Sequence, residues 1–309
     1  MEEDPSLLLI GQGVKSPWYV GNTCRGLVER FGAPRVIDSP VSENAVTGAA
    51  VGAAIAGVRS VVIHPRMDFM LYALDPIINE AANWRYMSGG TAKAPVVVWA
   101  VVNRGGEQGA QHSQALHSIF AHVPGLKVVA PSTPHDAKGL MVAAIQDDDP
   151  VIFIDERWLY NEEGPVPDRL YSERIGTAAC RREGGDVTIL AFSYLAPKAV
   201  EAAATLAEEG ISCEVIDLRS LRPLDRETIF ESTRKTGRAV VCDIGWRTGG
   251  IGAEIAAQIM EECWSELKAP VARVALPDVP APAARTMEAA YYPGTREIIA
   301  AARAAVARA

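Results

Sequence analysis

The sequence predicts an α/β chain built from two doubly wound domains, and three observations predict it. Short runs rich in Val and Ile recur between Ala-rich segments of helical length, the βαβ rhythm of a parallel sheet. The length, 309 residues, suits two domains of middling size. The rhythm lapses once, across a polar stretch rich in Pro and Gly, and then restarts. With 49% hydrophobic residues and 6% aromatic, both halves can bury a core of small aliphatic side chains.

Residues 1–160 form the first expected domain. Strands are expected at 6–11, 60–64, 94–102, 125–130 and 150–155, each β-branched and bounded by Gly, Pro or charge. Helices are expected at 43–57, 69–87 and 134–147. The small residues of the first allow close packing on a sheet. The last begins with Ser132, Thr133 and Pro134, a capping hydroxyl before a first-turn proline. The lapse, around Asn161 to Pro167, predicts a linker over 161–185. In the second domain, 186–309, strands are expected at 186–191, 212–217, 239–243 and 271–276. Its helices are expected at 196–209, 225–236, 252–263 and 295–308.

Charge and composition exclude several classes. Thirty Lys and Arg against 38 Asp and Glu give a net charge of −8, which argues against a nucleic-acid partner. A mean hydropathy of +0.07 argues against disorder. No apolar stretch approaches the roughly 18 residues of a membrane span, and the acidic start at Met1, Glu2, Glu3 and Asp4 lacks the order of a signal peptide. Cys24, Cys180, Cys213, Cys242 and Cys263 are odd in number, scattered and without a Cys-x-x-Cys pair. They read as reduced, mostly buried thiols with no zinc site and no disulfide, so a cytoplasmic location is expected.

The sequence contains no phosphate-binding loop of the Walker type, no His-Glu-x-x-His pattern and no Gly-x-Ser-x-Gly elbow. Gly249, Gly250 and Gly252 lack the dinucleotide spacing and read as a tight helix entry. Glu43 opens an Ala- and Gly-rich helix, where the helix dipole favours a carboxylate; alone, it reads as a first-turn acid. His112 follows a strand and a glycine-rich loop, the place where α/β sheets present reactive groups. Its titration range suits proton transfer, and catalytic and structural roles both stand open. His64, ending a strand, is a second candidate, whereas His117, His122 and His135 read as helix-face or turn residues.

Several motifs then fall in register. Ser42, Glu43 and Asn44, then Met67, Asp68 and Phe69, then Tyr86 through Gly90, and Gly109 through Gln114 resemble one family. So do Pro124 through Pro131, Asp136 through Leu140, Glu214 through Arg219, Arg222 through Asp225 and Pro277 through Pro280. The chain resembles the β subunit of thiamin-diphosphate-dependent 2-oxo acid dehydrogenases, whose fold is shared with transketolase. The likeness runs from about Leu7 to the last helix.

The resemblance implies a transketolase-like pyrimidine-binding domain followed by a transketolase C-terminal-like domain. It implies thiamin diphosphate as cofactor, with Mg²⁺ and the diphosphate gripped by a Gly-Asp-Gly motif of a partner α subunit. This chain has no Gly-Asp-Gly, which agrees with the missing phosphate cradle. An α2β2 assembly, a lipoyl acyltransferase partner and a 2-oxo acid or ketose substrate follow. Glu43 matches the family glutamate on the aminopyrimidine ring, Phe69 the stacking position, and His112 the histidine near the reacting carbon; a core Phe is the lesser reading of Phe69. K⁺ is implied at main-chain oxygens around 144–149, with Ala144, Ile145, Asp147 and Asp149, although this run also reads as a solvated helix end.

The chain also departs from the family. Gln12 stands where an acid is common, which weakens a proton channel between paired sites. His64, Pro65 and Arg66 replace a more apolar approach, and Asn103 through Gln108 replace the usual loop. Extra charge there makes Arg66 and Arg104, with His64, candidates for binding a polar or anionic substrate. A two-subunit carboligase or transketolase-like enzyme is the alternative to a dehydrogenase. A non-catalytic scaffold subunit is the third reading.

Overall fold

Strands without polar alternation must be covered on both faces, and the computed structural model, which describes residues 1–16 and 22–307, covers them so. The first sheet uses β1 (Leu8–Gln12), β2 (Val36–Ser39), β3 (Ser60–His64), β4 (Val96–Val102), β5 (Lys127–Val129) and β6 (Val151–Glu156). Their order is β5-β6-β4-β3-β1-β2, all parallel. Successive residues feed opposite faces. Ile10, Val62 and Val98 pack on one side with Ala50, Val51 and Ala54, whereas Leu9, Val61 and Val97 pack on the other with Leu140 and Ala144.

The helices of this domain are α1 (Leu27–Phe31), α2 (Glu43–Ile55), α3 (Ala82–Met87), α4 (His117–His122) and α5 (Pro134–Gln146). Thr133 caps α5 by accepting from the Asp136 N–H at 3.1 Å, with Pro134 in its first turn. The helix expected over 69–87 is wound three ways: a 3₁₀ stretch (Met67–Ala73), a π-helical stretch (Asp75–Ala81) and then α3. Met67, Met70, Ala73 and Ile77 are all buried along this stretch, facing the core.

The second sheet comprises β7 (Ala179–Arg182), β8 (Val187–Ala191), β9 (Cys213–Asp217), β11 (Ala239–Trp246) and β12 (Ala272–Leu276), in the order β12-β11-β8-β9-β7. It is parallel except for β7, which lies in the stretch expected as linker. A half-exposed edge strand such as Ala-Cys-Arg-Arg carries no apolar alternation by which to be read. The helices are α6 (Leu195–Glu208), α7 (Arg226–Thr236), α8 (Ile251–Cys263), α9 (Arg285–Tyr291) and α10 (Thr295–Ala307).

The two domains are interlocked. β10 (Ser220–Arg222) crosses back and pairs antiparallel with β5, as the seventh strand of the first sheet. Arg219 reaches Asp136 at 2.8 Å and Glu173 at 3.2 Å, and donates to the Thr177 carbonyl. One continuous core joins residues of both domains.

Candidate active site

The chain leaves β1 toward β2 on one side and leaves β3 toward β4 on the other. Connections that part in this way open a crevice beyond the carboxyl ends of the strands. A cavity of about 310 Å³ lies there, lined by Gln12, Val41, Glu43, His64, Pro65, Arg66, Phe69, Tyr72 and His112. Gln12 is the last residue of β1 and His64 the last of β3. Glu43, His64, Arg66, Phe69 and His112, separated by up to 69 positions, thus come together.

Each arrives by an identifiable local cause. Glu43 is the first residue of α2, after a turn through Pro40 and Val41, so its carboxylate lies at the positive end of a helix. Thr47, one turn on and fully buried, bonds His64 Nε2 through its hydroxyl at 3.0 Å. The sequence reading passed over Thr47; its i+4 spacing from Glu43 is the signal that it shares that helix face. Phe69 projects from the 3₁₀ stretch and meets the His112 ring edge-on, with centroids 5.3 Å apart and planes at 89°. Asp68 anchors the loop beyond His112, accepting from the Gln114 backbone at 3.2 Å and side chain at 2.8 Å.

Burial sets the electrostatics. It pushes the His64 pKa from 6.5 down to about 4, so this imidazole is neutral near pH 7. Burial also raises the Asp68 carboxyl, against the bonds from Gln114. The cavity can therefore offer a helix-end carboxylate, a neutral histidine, a half-buried aromatic ring and a second histidine to one ligand. A planar heterocycle with a ring nitrogen and an exocyclic amine matches that donor set: carboxylate for the protonated ring edge, Phe69 for the face.

Arg66 lines the same cavity, with Nη1 on the Pro65 carbonyl at 2.8 Å. Arg104 does not. Its side chain is buried against the second domain, 5.1 Å from the rings of both Tyr194 and Tyr292, and it is removed from the substrate candidates. Its sequence position beside a loop suggested exposure; the domain junction took it instead.

The segment 144–149 is occupied from within the chain. Arg59 Nη1 donates to the carbonyls of Ile145, at 3.1 Å, and Asp147. Lys127 meets the Asp147 carboxylate at 2.6 Å, and Asp149 pairs with Arg85. Arg59, Arg85, Lys93 and Lys127 face the carboxylates of Asp147, Asp148 and Asp149, leaving no excess negative charge. Of the residues implied for K⁺, Ile145 and Asp147 thus have carbonyls engaged by Arg59, and Asp147 and Asp149 have carboxylates paired with Lys127 and Arg85. Among the described residues, no group of three His, Cys, Asp or Glu could hold a metal ion.

Other candidates have structural roles. His117 and His122 lie on α4, and His117 Nε2 bonds the buried Asp243 at 2.9 Å. Gly250 enters α8, where the Gly252 N–H donates to Asp243 at 2.8 Å. All cysteines are free and four are buried, with Cys180 exposed. Among the described residues, no helix is long and apolar enough to cross a membrane.

Comparisons with known proteins agree with this architecture. The family model for the transketolase pyrimidine binding domain matches residues 1–163, and that for the transketolase C-terminal domain matches 176–298. The chain is 44% identical over 313 residues to the β subunit of an acetoin:2,6-dichlorophenolindophenol oxidoreductase from Cupriavidus necator, covering 98% of this chain and 92% of the relative. It is 44% identical over 313 residues to the mitochondrial pyruvate dehydrogenase E1 component subunit beta-2 of Oryza sativa subsp. japonica, covering 100% and 83%. Among solved structures, an inactive β4 tetramer of a split-gene transketolase matches with a TM-score of 0.79 at 23% identity, covering 99% of this chain and 93% of that one.

Proposed function

The chain belongs to the β subunits of thiamin-diphosphate-dependent 2-oxo acid dehydrogenases, and from that premise we propose that it oxidatively decarboxylates a 2-oxo acid and delivers the acyl group to a lipoyl carrier. The observation that carries the reading is the convergence of Glu43, Phe69 and His112 on one crevice, in a chain whose sequence lacks any phosphate cradle. The site is half a site. An α subunit bearing the diphosphate and Mg²⁺ motif closes it, in an α2β2 assembly that a lipoyl acyltransferase visits. Residues 1–160 are the pyrimidine-binding domain, and the C-terminal domain runs from β7 (Ala179–Arg182), before the expected start at 186, to the last helix. Five free cysteines support a cytoplasmic setting.

Thiamin diphosphate, when bound, supplies a nucleophilic carbon and an electron sink. The residues of this chain do the rest. Glu43 would hold the aminopyrimidine edge, its carboxylate favoured by the helix N-terminus. Phe69 would pack on the ring face, and its edge-on contact sets the place of His112 beside it. His64, neutral and oriented by Thr47, is a hydrogen-bonding wall. Arg66 pairs with the substrate carboxylate. No part of this reading rests on K⁺.

The altered loop after β4 motivates the carboligase alternative, whereas the full-length likeness to a pyruvate dehydrogenase E1 β subunit and to an acetoin oxidoreductase β subunit favours the dehydrogenase. Purified with its α subunit, the chain should support NAD⁺ reduction that depends on a lipoyl domain and lipoamide dehydrogenase. Glu43→Gln should lower kcat by roughly 10²–10⁴. Acyloin formation without lipoyl-dependent turnover would refute the dehydrogenase reading, and an active Glu43→Gln enzyme would refute the role of the carboxylate.

A further inference from the structure

The loop 103–112, which ends on His112, begins where β4 ends with a side chain that should not be buried. Arg104 is 1% exposed, and a guanidinium out of water needs compensation. Four groups face it, while Nε and Nη1 make no hydrogen bond among the described residues. Nε stands 3.8 Å from Glu156 Oε2 at the end of β6, and Nη2 donates to the Ile244 carbonyl in β11. The guanidinium lies between the rings of Tyr194 and Tyr292, 5.1 Å from each, where cation–π attraction is strongest because water is excluded. Ile244, Tyr194 and Tyr292 all belong to the second domain.

The rest of the loop has little rigidity of its own. Gly105, Gly106, Glu107 and Gly109 take φ of 78°, 71°, 62° and 70°. Such a backbone keeps its path through contacts. Those contacts again lie on the far domain or beside β6: Glu107 N–H donates to Glu288 at 3.3 Å, and Arg157 donates to Asn103 at 2.7 Å.

We propose that Arg104 is a positioning residue which, through the Ile244 carbonyl and the rings of Tyr194 and Tyr292, clamps loop 103–112 onto the second domain and so holds His112 over the cavity, with Glu156 as its counter-charge. The inference rests on the role assigned to His112 above. Burial pushes the Glu156 carboxyl up to about 7, with the Arg104 charge and the Trp158 N–H pulling down and Asp155 pushing up. The other groups facing the pair are the phenols of Tyr194, Tyr291 and Tyr292 beside Arg104 and of Tyr160 beside Glu156, all raised by burial, and Glu288, which lies beside Tyr292. Asp155 is pushed only to about 6, held by Trp99 and Tyr160.

Hydrogen exchange of peptides spanning 103–112, in the assembled α–β enzyme and corrected for intrinsic rates, tests this without turnover. Arg104→Met should lower their protection about fivefold or more while peptides of β4 and β6 keep theirs. Unchanged protection over 103–112, or an equal loss across β4 and β6, would overturn the clamp whatever the substrate is. For Arg104→Met, kcat should fall about tenfold with thiamin diphosphate affinity unchanged; equal losses in both would mark Arg104 as merely structural.

Discussion

Replacing His64 by Gln should remove a defined part of the pH dependence of stability. The ring is 2% exposed, and burial moves its pKa from 6.5 to about 4. Between those values the unfolded chain holds a proton that the folded chain refuses, so stability is lost as pH falls through the window. A shift of roughly 2.5 units at about 1.36 kcal/mol each is worth about 3.4 kcal/mol, present in full above pH ~6.5 and gone by pH ~4. Glu156 and Asp155 run the other way. Their folded pKa values of about 7 and about 6 lie above the ordinary range, so their share of stability falls as pH rises. The total curve therefore conceals the histidine, and the assay must be a difference. Urea unfolding of wild type and His64→Gln, at matched pH from about 7.5 to 5, should show wild type losing about 2 kcal/mol that the variant keeps. Gln can still accept from Thr47, so the bond seen at 3.0 Å need not be lost. Parallel curves would refute the buried neutral imidazole, and with it the assignment of His64 as an uncharged wall of the site.

Arg219→Met should cost about 3 kcal/mol, the low end for breaking a buried pair, because Arg181 remains beside Asp136. The thermal midpoint of the purified chain reads this, and an unchanged midpoint would mean that the domains are held by the apolar junction alone. Gly125→Ala should destabilise by about 3 kcal/mol, since a Cβ there would lie 2.0 Å from the Ala82 carbonyl at a φ of +89°. A soluble variant with wild-type urea midpoint would show that the α4–β5 turn gives way easily.

The parallel strands were legible because valine runs buried on both faces have few other homes. The cap at Thr133 and the helix entry at Gly250 were legible because each depends on neighbours in sequence. Strands β2, β7 and β10, and helices α1, α4 and α9, were not; all are short, and their stability comes from what they pack or pair against. Asn103 through Gln108 were misread for a similar reason: sequence shows the charge of Arg104 but not that two tyrosines 90 and 188 positions away enclose it.

By itself the sequence determined two α/β domains, a family, and the residue types Glu43, Phe69 and His112, since periodicity and local motifs are properties of neighbouring positions. The tertiary structure alone decided that these side chains meet His64 and Thr47 at one switch-point crevice, and that Arg59 and Lys127 occupy the acidic segment. It also decided that Arg104 serves the domain junction. The physical reason is common to all three. Burial and charge compensation are fixed by which distant surfaces are brought together, and only the folded chain brings them together.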